Sequence, residues 1–245
     1  VYGFAALTML VPFIVMLIFA KEPPDREKHS FKELISCLFE KDGWTFNAIY
    51  IITFGGFIGL ANFLPTFFHD QFGVTKVEAG QLTMLAAVMG SGIRIVGGYV
   101  SDRWGGINSL TLVFIAIIVL MLAQATSPAL VTTTILFMLA FAALGMGNGS
   151  LFQLVPLRWS STTAVAGSMI GEIGALGGGF VPNAMGLSKQ YTGSFAYGFI
   201  AFAVFAAIVF IILRVAQRRW TKSWVGKGGK ALTKASEVNE VNVIS

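Results

Sequence analysis

The 245-residue sequence is 55% hydrophobic and only 12% charged, with 28 glycines and 22 phenylalanines, whereas soluble globular domains average about 25% charged. This composition excludes a soluble enzyme and places the chain in a membrane. The net charge of +5 does not point to nucleic acid, because the cations cluster beside apolar runs instead of forming one polar surface.

Apolar runs at about 1–20, 45–68, 79–100, 107–125, 129–152, 163–187 and 194–215 are each long enough for a helix to cross the hydrocarbon core. The first opens at Val1 without the basic flank or cleavage site of a signal peptide, so a preceding segment is expected. It ends at Lys21-Glu-Pro-Pro24, where consecutive prolines stop a helix. From there Phe31, Leu34, Ile35, Leu38 and Phe39 recur at helical spacing opposite Lys32, Glu33, Ser36, Glu40 and Lys41. This pattern predicts a short amphipathic helix on the membrane surface. The single cysteine, Cys37, excludes an intrachain disulfide. Lys21, Arg26, Lys28, Lys32, Lys41, Arg103, Arg158 and the cations from Arg214 to Lys234 fall on one side of the spans. Only Lys76 and Lys189 fall on the other. By the positive-inside rule, the 21–44 connection and the C-terminal tail are cytoplasmic.

In the second span Tyr50 and Phe54 are four apart and share a helical face, with Gly55, Gly56 and Gly59 leaving space beside them. They read either as one wall of a flat slot or as core packing. Asn62 and Pro65 approach the outer end, and Phe68 to Gln81 is expected to be an external loop. The third span carries Arg94. An arginine at the centre of a span costs about 2.5–3.5 kcal/mol on insertion scales and normally faces a protein interior or an aqueous cavity. Gly90, Arg94, Gly98 and Asp102 are spaced by four, which predicts a small-residue groove with the guanidinium projecting toward a buried carboxylate or a permeating anion; the anion is the working reading. Asp102-Arg103-Trp-Gly-Gly106 then forms a turn that either locks and releases a neighbouring helix end or acts as a static cap.

The fourth span is nearly devoid of polar groups and carries no chemistry. The fifth ends in Gly145-Met-Gly-Asn-Gly-Ser150, a pattern that permits close packing or local unwinding, with Asn148 and Gln153 hydrogen-bonding across the bundle. In the sixth, Gly167, Gly171, Gly174 and Gly178 form a stripe suited equally to approaching a ligand and to packing a helix. Glu172, inside the same span, must be paired, protonated or in water. Proton coupling, a counter-charge to an arginine elsewhere and a direct pair with Arg94 remain open for it. After the seventh span comes a basic tail whose Trp220 and Trp224 suit anionic headgroups, and its polar end from Ala235 to Ser245 is expected to be disordered. No catalytic triad, phosphate loop or metal-ligand spacing is present, so no cofactor and no enzymatic activity are expected.

Tyr-x-x-Thr-Phe-Gly-x-Phe-Ile-Gly at 50–59, Gly-x-x-x-Arg-x-x-Gly-Gly-x-x-x-Asp-Arg-x-Gly-Gly at 90–106, Gly-x-Gly-Asn-Gly-Ser at 145–150 and the glycine-rich 167–186 stretch occur in this order. Together they resemble the C-terminal half of nitrate/nitrite porters of the major facilitator superfamily. The resemblance covers nearly the whole chain and implies an all-α membrane fold: a six-helix C-terminal bundle plus the preceding helix. Residues 1–20 would be the last helix of the N-terminal bundle, 21–44 a cytoplasmic linker, 45–215 the bundle and 216–245 a basic tail. It further implies alternating-access transport of nitrate or nitrite across a cytoplasmic membrane, with an arginine from each half and aromatic rings around the planar ion. Arg94, Tyr50 and Phe54 would be this half's contribution, with Asn148, Gly171 and Gly174 beside them and Asp102 and Arg103 at a gating turn. The partners are then the anion, protons in a symport cycle, the lipid bilayer and the N-terminal half. A carrier of formate- or oxalate-type carboxylates is the nearest alternative, and a channel or non-transporting membrane subunit the more distant one.

Overall fold

The computed structural model describes residues 2–20 and 39–232. The amphipathic surface helix expected from Phe31 falls almost wholly outside the described residues, as do Cys37 and the polar tail end. The chain divides into two compact units, Val1–Glu33 and Leu34–Ser245. The first contributes α1 (Tyr2–Phe19), with Pro12 inside it.

The second unit is built from α2 (Lys41–Phe72), α3 (Lys76–Trp104), α4 (Gly106–Ala125), α5 (Leu130–Arg158), α6 (Thr163–Thr192) and α7 (Ala196–Trp220). A short 3-10 turn at Lys227–Gly229 follows. All six helices are long and apolar enough to cross a membrane. Those of 29 and 30 residues reach about 45 Å at 1.5 Å per residue, so their ends pass beyond the ~30 Å hydrocarbon core. The junctions are short, and successive helices run antiparallel. The starts of α2, α4 and α6 therefore lie at the same end of the bundle as the ends of α3, α5 and α7.

The external loop expected over Phe68–Gln81 shrinks to Gly73–Thr75. Gly73, at φ 68°, ends α2 with its N–H donating to the His69 carbonyl at 2.9 Å. Thr75 opens α3 through a capping box: its Oγ1 accepts from Glu78 N–H at 3.2 Å, and the Glu78 carboxylate accepts from Thr75 N–H at 2.9 Å. The sequence Thr-Lys-Val-Glu carries this signal, which the hydropathy boundary obscured. The turn at 102–106 is likewise short: α3 runs to Trp104, and only Gly105, at φ 97°, separates it from α4.

Glycines join the helices into pairs. Between α3 and α5, a side chain at Gly145 would overlap the Gly90 backbone, and one at Gly149 would overlap the Arg94 carbonyl. Further along this seam Ser101 donates to Ser150 Oγ at 2.7 Å, and beyond it the Gly106 N–H at the start of α4 donates to Gln153 Oε1 of α5 at 3.1 Å. The fifth-span glycines thus serve close packing in an unbroken helix. Between α2 and α6, a Cβ at Gly55 would lie 2.7 Å from the Gly174 carbonyl oxygen. Small residues at such contacts let helix backbones approach where lipid removes the hydrophobic drive for association.

At one end of the bundle Phe63, Phe67, Phe137, Phe195 and Phe199 pack mostly edge to face. At the other end Asp42 joins three helices. It accepts from Arg158 Nε at 2.7 Å, from Trp220 Nε1 at 2.8 Å and from Arg219. Arg158 also pairs with Glu40. Trp220 is fully buried and lies 5.2 Å from Phe46 and 5.3 Å from Trp224. Trp220 packs into the protein instead of facing headgroups, because Asp42 offers its indole N–H a buried acceptor, and the half-buried Trp224 packs against it. Beyond them Val225 is buried, and Gly228 and Gly229 lie against Asn108 and Ile107 at the start of α4.

Candidate functional site

Within α2 the segment Ile51–Gly55 is π-helical; it starts directly after Tyr50 and contains Phe54, the two aromatic residues read from the sequence. In an α-helix residues i and i+4 stand about 40° apart around the axis. A π turn shifts that offset, and such insertions concentrate at functional sites. The Tyr50 and Phe54 rings stack at 4.8 Å with 13° between planes. Phe152 of α5 meets the Tyr50 ring edge-on at 5.3 Å.

Arg94 of α3 completes the arrangement. Its Nη2 donates to the Tyr50 hydroxyl oxygen at 3.1 Å, and its Cζ lies 5.7 Å from the Phe54 ring centre. Tyr50 is only 2% exposed, whereas Arg94 is exposed on the bundle surface. Tyr50 therefore steadies one edge of the guanidinium and leaves the remaining N–H groups without a partner among the described residues. The Tyr50 hydroxyl, having accepted from Arg94, keeps its own proton to donate. No carboxylate pairs with Arg94 among the described residues. Behind Arg94 and Phe54 lies a cavity of about 110 Å³, also lined by Phe57, Ser91 and Asn148, with room for about three molecules the size of water. Asn148 is 2% exposed, and its Oδ1 has no hydrogen-bond partner among the described residues.

The other residues singled out from the sequence separate. Gly174 lies directly beneath the Tyr50 ring, while a side chain at Gly171 would meet nothing within 4 Å. Glu172 is exposed and has no ion pair among the described residues. It stands two residues, about 200° around α6, from the Gly174 face. Asp102 is exposed at the end of α3, and Arg103 sits 4.5 Å over the Tyr99 ring on its own helix. Among the described residues neither is bound to a neighbouring helix end. Ser91, Phe57 and Phe152 also line the site and were not read from the sequence. Phe152 lies one turn beyond Asn148 on the same face and could have been found by that spacing.

Gly174→Ala is expected to push on the root of the Tyr50 side chain, which cannot swing away. It should lower stability by about 1–3 kcal/mol. Gly171→Ala adds a methyl to open space and gains up to about 1 kcal/mol of helix propensity. Thermal unfolding of the two variants in detergent checks the contrast, and equal destabilisation would contradict it.

The model of the Major Facilitator Superfamily matches residues 1–182. The chain belongs to this superfamily. It is 28% identical over 209 residues to the "Nitrite extrusion protein" of Bacillus subtilis (strain 168), covering 84% of this chain and 53% of that one. It is 32% identical over 164 residues to the "Probable nitrate transporter NarT" of Staphylococcus epidermidis, covering 67% and 42%. With the "Probable nitrate/nitrite antiporter NarK1" of Thermus thermophilus it shares 28% identity over 230 residues, covering 85% and 52%. This major facilitator chain thus spans about half the length of the curated relatives it matches. It is a multi-pass membrane protein of a transporter family.

Proposed function

We propose that this chain is the C-terminal half of a transporter that carries nitrate or nitrite by alternating access, with Arg94 as this half's anion ligand. The observation that carries the reading is a guanidinium on a spanning helix, held by Tyr50, flanked by Phe54 and paired with no carboxylate among the described residues. A guanidinium presents paired donors in one plane and matches two oxygens of a planar anion. The Tyr50 hydroxyl donates a further hydrogen bond, and the Phe54 face covers the flat ion. Asn148 closes the cavity behind. The names of the three relatives support this choice of anion.

On this reading residues 1–20 close an N-terminal bundle, 21–44 connect the halves, 45–215 form the C-terminal bundle, and the tail is cytoplasmic. Cations gather at the end holding Lys41, Arg103, Arg158 and Arg214, with Lys76 and Lys189 at the other. This bias favours that orientation in a bacterial cytoplasmic membrane. The substrate sits between the halves, the other half completes its coordination, and one half rocks against the other. Gly171, open on α6, and the Asp102–Arg103 turn lie where the other half could meet them.

The test is labelled nitrate entry into proteoliposomes of the complete transporter loaded with nitrite, with and without a pH gradient. Entry that requires internal nitrite signifies exchange, and entry that requires the gradient signifies proton symport. No entry under either condition, with formate carried instead, overturns the reading. Glu172→Gln is expected to leave nitrate affinity within about twofold, because the carboxylate faces away from Tyr50. A tenfold loss of affinity would put Glu172 in the site.

A further inference from the structure

We propose that the groove between the start of α2 and the end of α7 binds one anionic phospholipid, its phosphate held by Lys41 and Arg219 and an acyl chain lying on Ile211, Ile212 and Val215. The inference is independent of the transported substrate. The groove has a volume of about 410 Å³, with these five residues on its walls. Its two chemistries are ordered along the membrane normal. Val204, Ile208, Ile211 and Val215 form an exposed apolar row along α7, and the row ends at Arg219. From Ile211 to Arg219 is eight residues, about 12 Å of helix. That distance runs from the acyl region into the headgroup layer, since a bilayer with a ~30 Å core measures about 40–45 Å including headgroups.

The cations at this rim are available. Lys41 is exposed and forms no ion pair among the described residues. Arg219 bonds Asp42 through Nη2, while its side chain remains 47% exposed with further N–H groups to offer. The carboxylates nearby, Glu40 and Asp42, are already engaged by Arg158 and Arg219. Arg218 and Lys222, both exposed, add positive charge at the same helix end. A zwitterionic headgroup would bring its own cation to this rim, so the site favours a lipid with net negative charge. The apolar floor separates a lipid from free phosphate, which has no use for it.

The test is native mass spectrometry of the purified 245-residue chain in detergent with equimolar phosphatidylglycerol and phosphatidylcholine. Phosphatidylglycerol is expected to be retained about fivefold over phosphatidylcholine, and Lys41→Gln should remove most of that preference. Ile212→Asn should weaken retention of both lipids, and excess inorganic phosphate should displace neither. Lys189→Gln, at the opposite end of the bundle, should change nothing. Equal retention of the two lipids overturns the proposal, as does an unchanged preference in Lys41→Gln. Displacement by phosphate, or an equal effect of Lys189→Gln, overturns it as well. Lys41 is exposed and forms no ion pair among the described residues, so its variant folds and each result can be read.

Discussion

Replacing Arg94 by lysine in the complete transporter is expected to weaken nitrate or nitrite binding by about tenfold to a hundredfold while leaving the protein folded. Lysine keeps the positive charge, so long-range attraction of the anion survives. It cannot present two parallel N–H groups to two oxygens, and it cannot hold one donor on Tyr50 while offering others outward. The loss of one charge-assisted hydrogen bond, about 1.5–3 kcal/mol, sets the scale. Arg94→Ala should go further, because truncating the partner of a desolvated charge costs about 2–5 kcal/mol. Stability should change little, since within this chain the Arg94 side chain is exposed, makes one hydrogen bond to Tyr50 and lies beside the Phe54 ring. Calorimetric nitrate titration together with thermal unfolding separates the readings. If Arg94 were instead tied permanently to Glu172, Arg94→Ala would lower the unfolding temperature and the double variant with Glu172→Ala would restore it. Wild-type nitrate affinity in Arg94→Lys, or such a rescue, would remove Arg94 from substrate binding.

The site was legible where its chemistry is local. Tyr50 and Phe54 share one turn, and a cation inside an apolar run stands out in any sequence. Faces drawn by a fixed spacing of four were less faithful. Each such step drifts about 40° around an α-helix, so Gly90, Arg94, Gly98 and Asp102 spread over about a third of the circumference. The α3 seam follows Gly90, the Arg94 backbone, Gly97 and Ser101 instead, and Gly98 opens to empty space. Gly171 and Gly174, three residues apart, stand about 60° from each other around α6, so only Gly174 meets Tyr50. The π turn at Ile51–Gly55 left no mark in the hydropathy pattern. Least visible were contacts between distant segments. Glu40 and Lys41 read as the polar face of a surface helix, and nothing in a basic tail announces that its first tryptophan donates to a carboxylate near residue 40.

That carboxylate is the second place where a single change should be costly. Asp42→Ala is expected to destabilise the purified chain by about 3 kcal/mol, the lower end of the 3–5 kcal/mol typical for breaking a buried ion pair. The lower end applies because Arg158 keeps Glu40 and the Arg219 side chain is 47% exposed, so neither guanidinium is stranded without solvent or a partner. The Trp220 indole N–H is stranded, since that side chain is fully buried and Asp42 Oδ1 is its acceptor. Asp42→Asn retains an oxygen for the indole and loses only the charge, so it should cost less than Asp42→Ala. Arg219→Gln should cost least, about 1 kcal/mol or below, as for other pairs with a solvent-exposed partner. Denaturant unfolding of the detergent-solubilised chain, followed by tryptophan fluorescence, gives the order directly. Asp42 acts as a hub only if the alanine variant is the weakest; an Arg219→Gln loss as large as that of Asp42→Ala would make the α7 cation, and not the carboxylate, the element that joins α2, α5 and α7. Because Tyr50 lies eight residues along α2 from Asp42, about 12 Å, a loosened α2 start also releases the helix that carries the anion-site tyrosine.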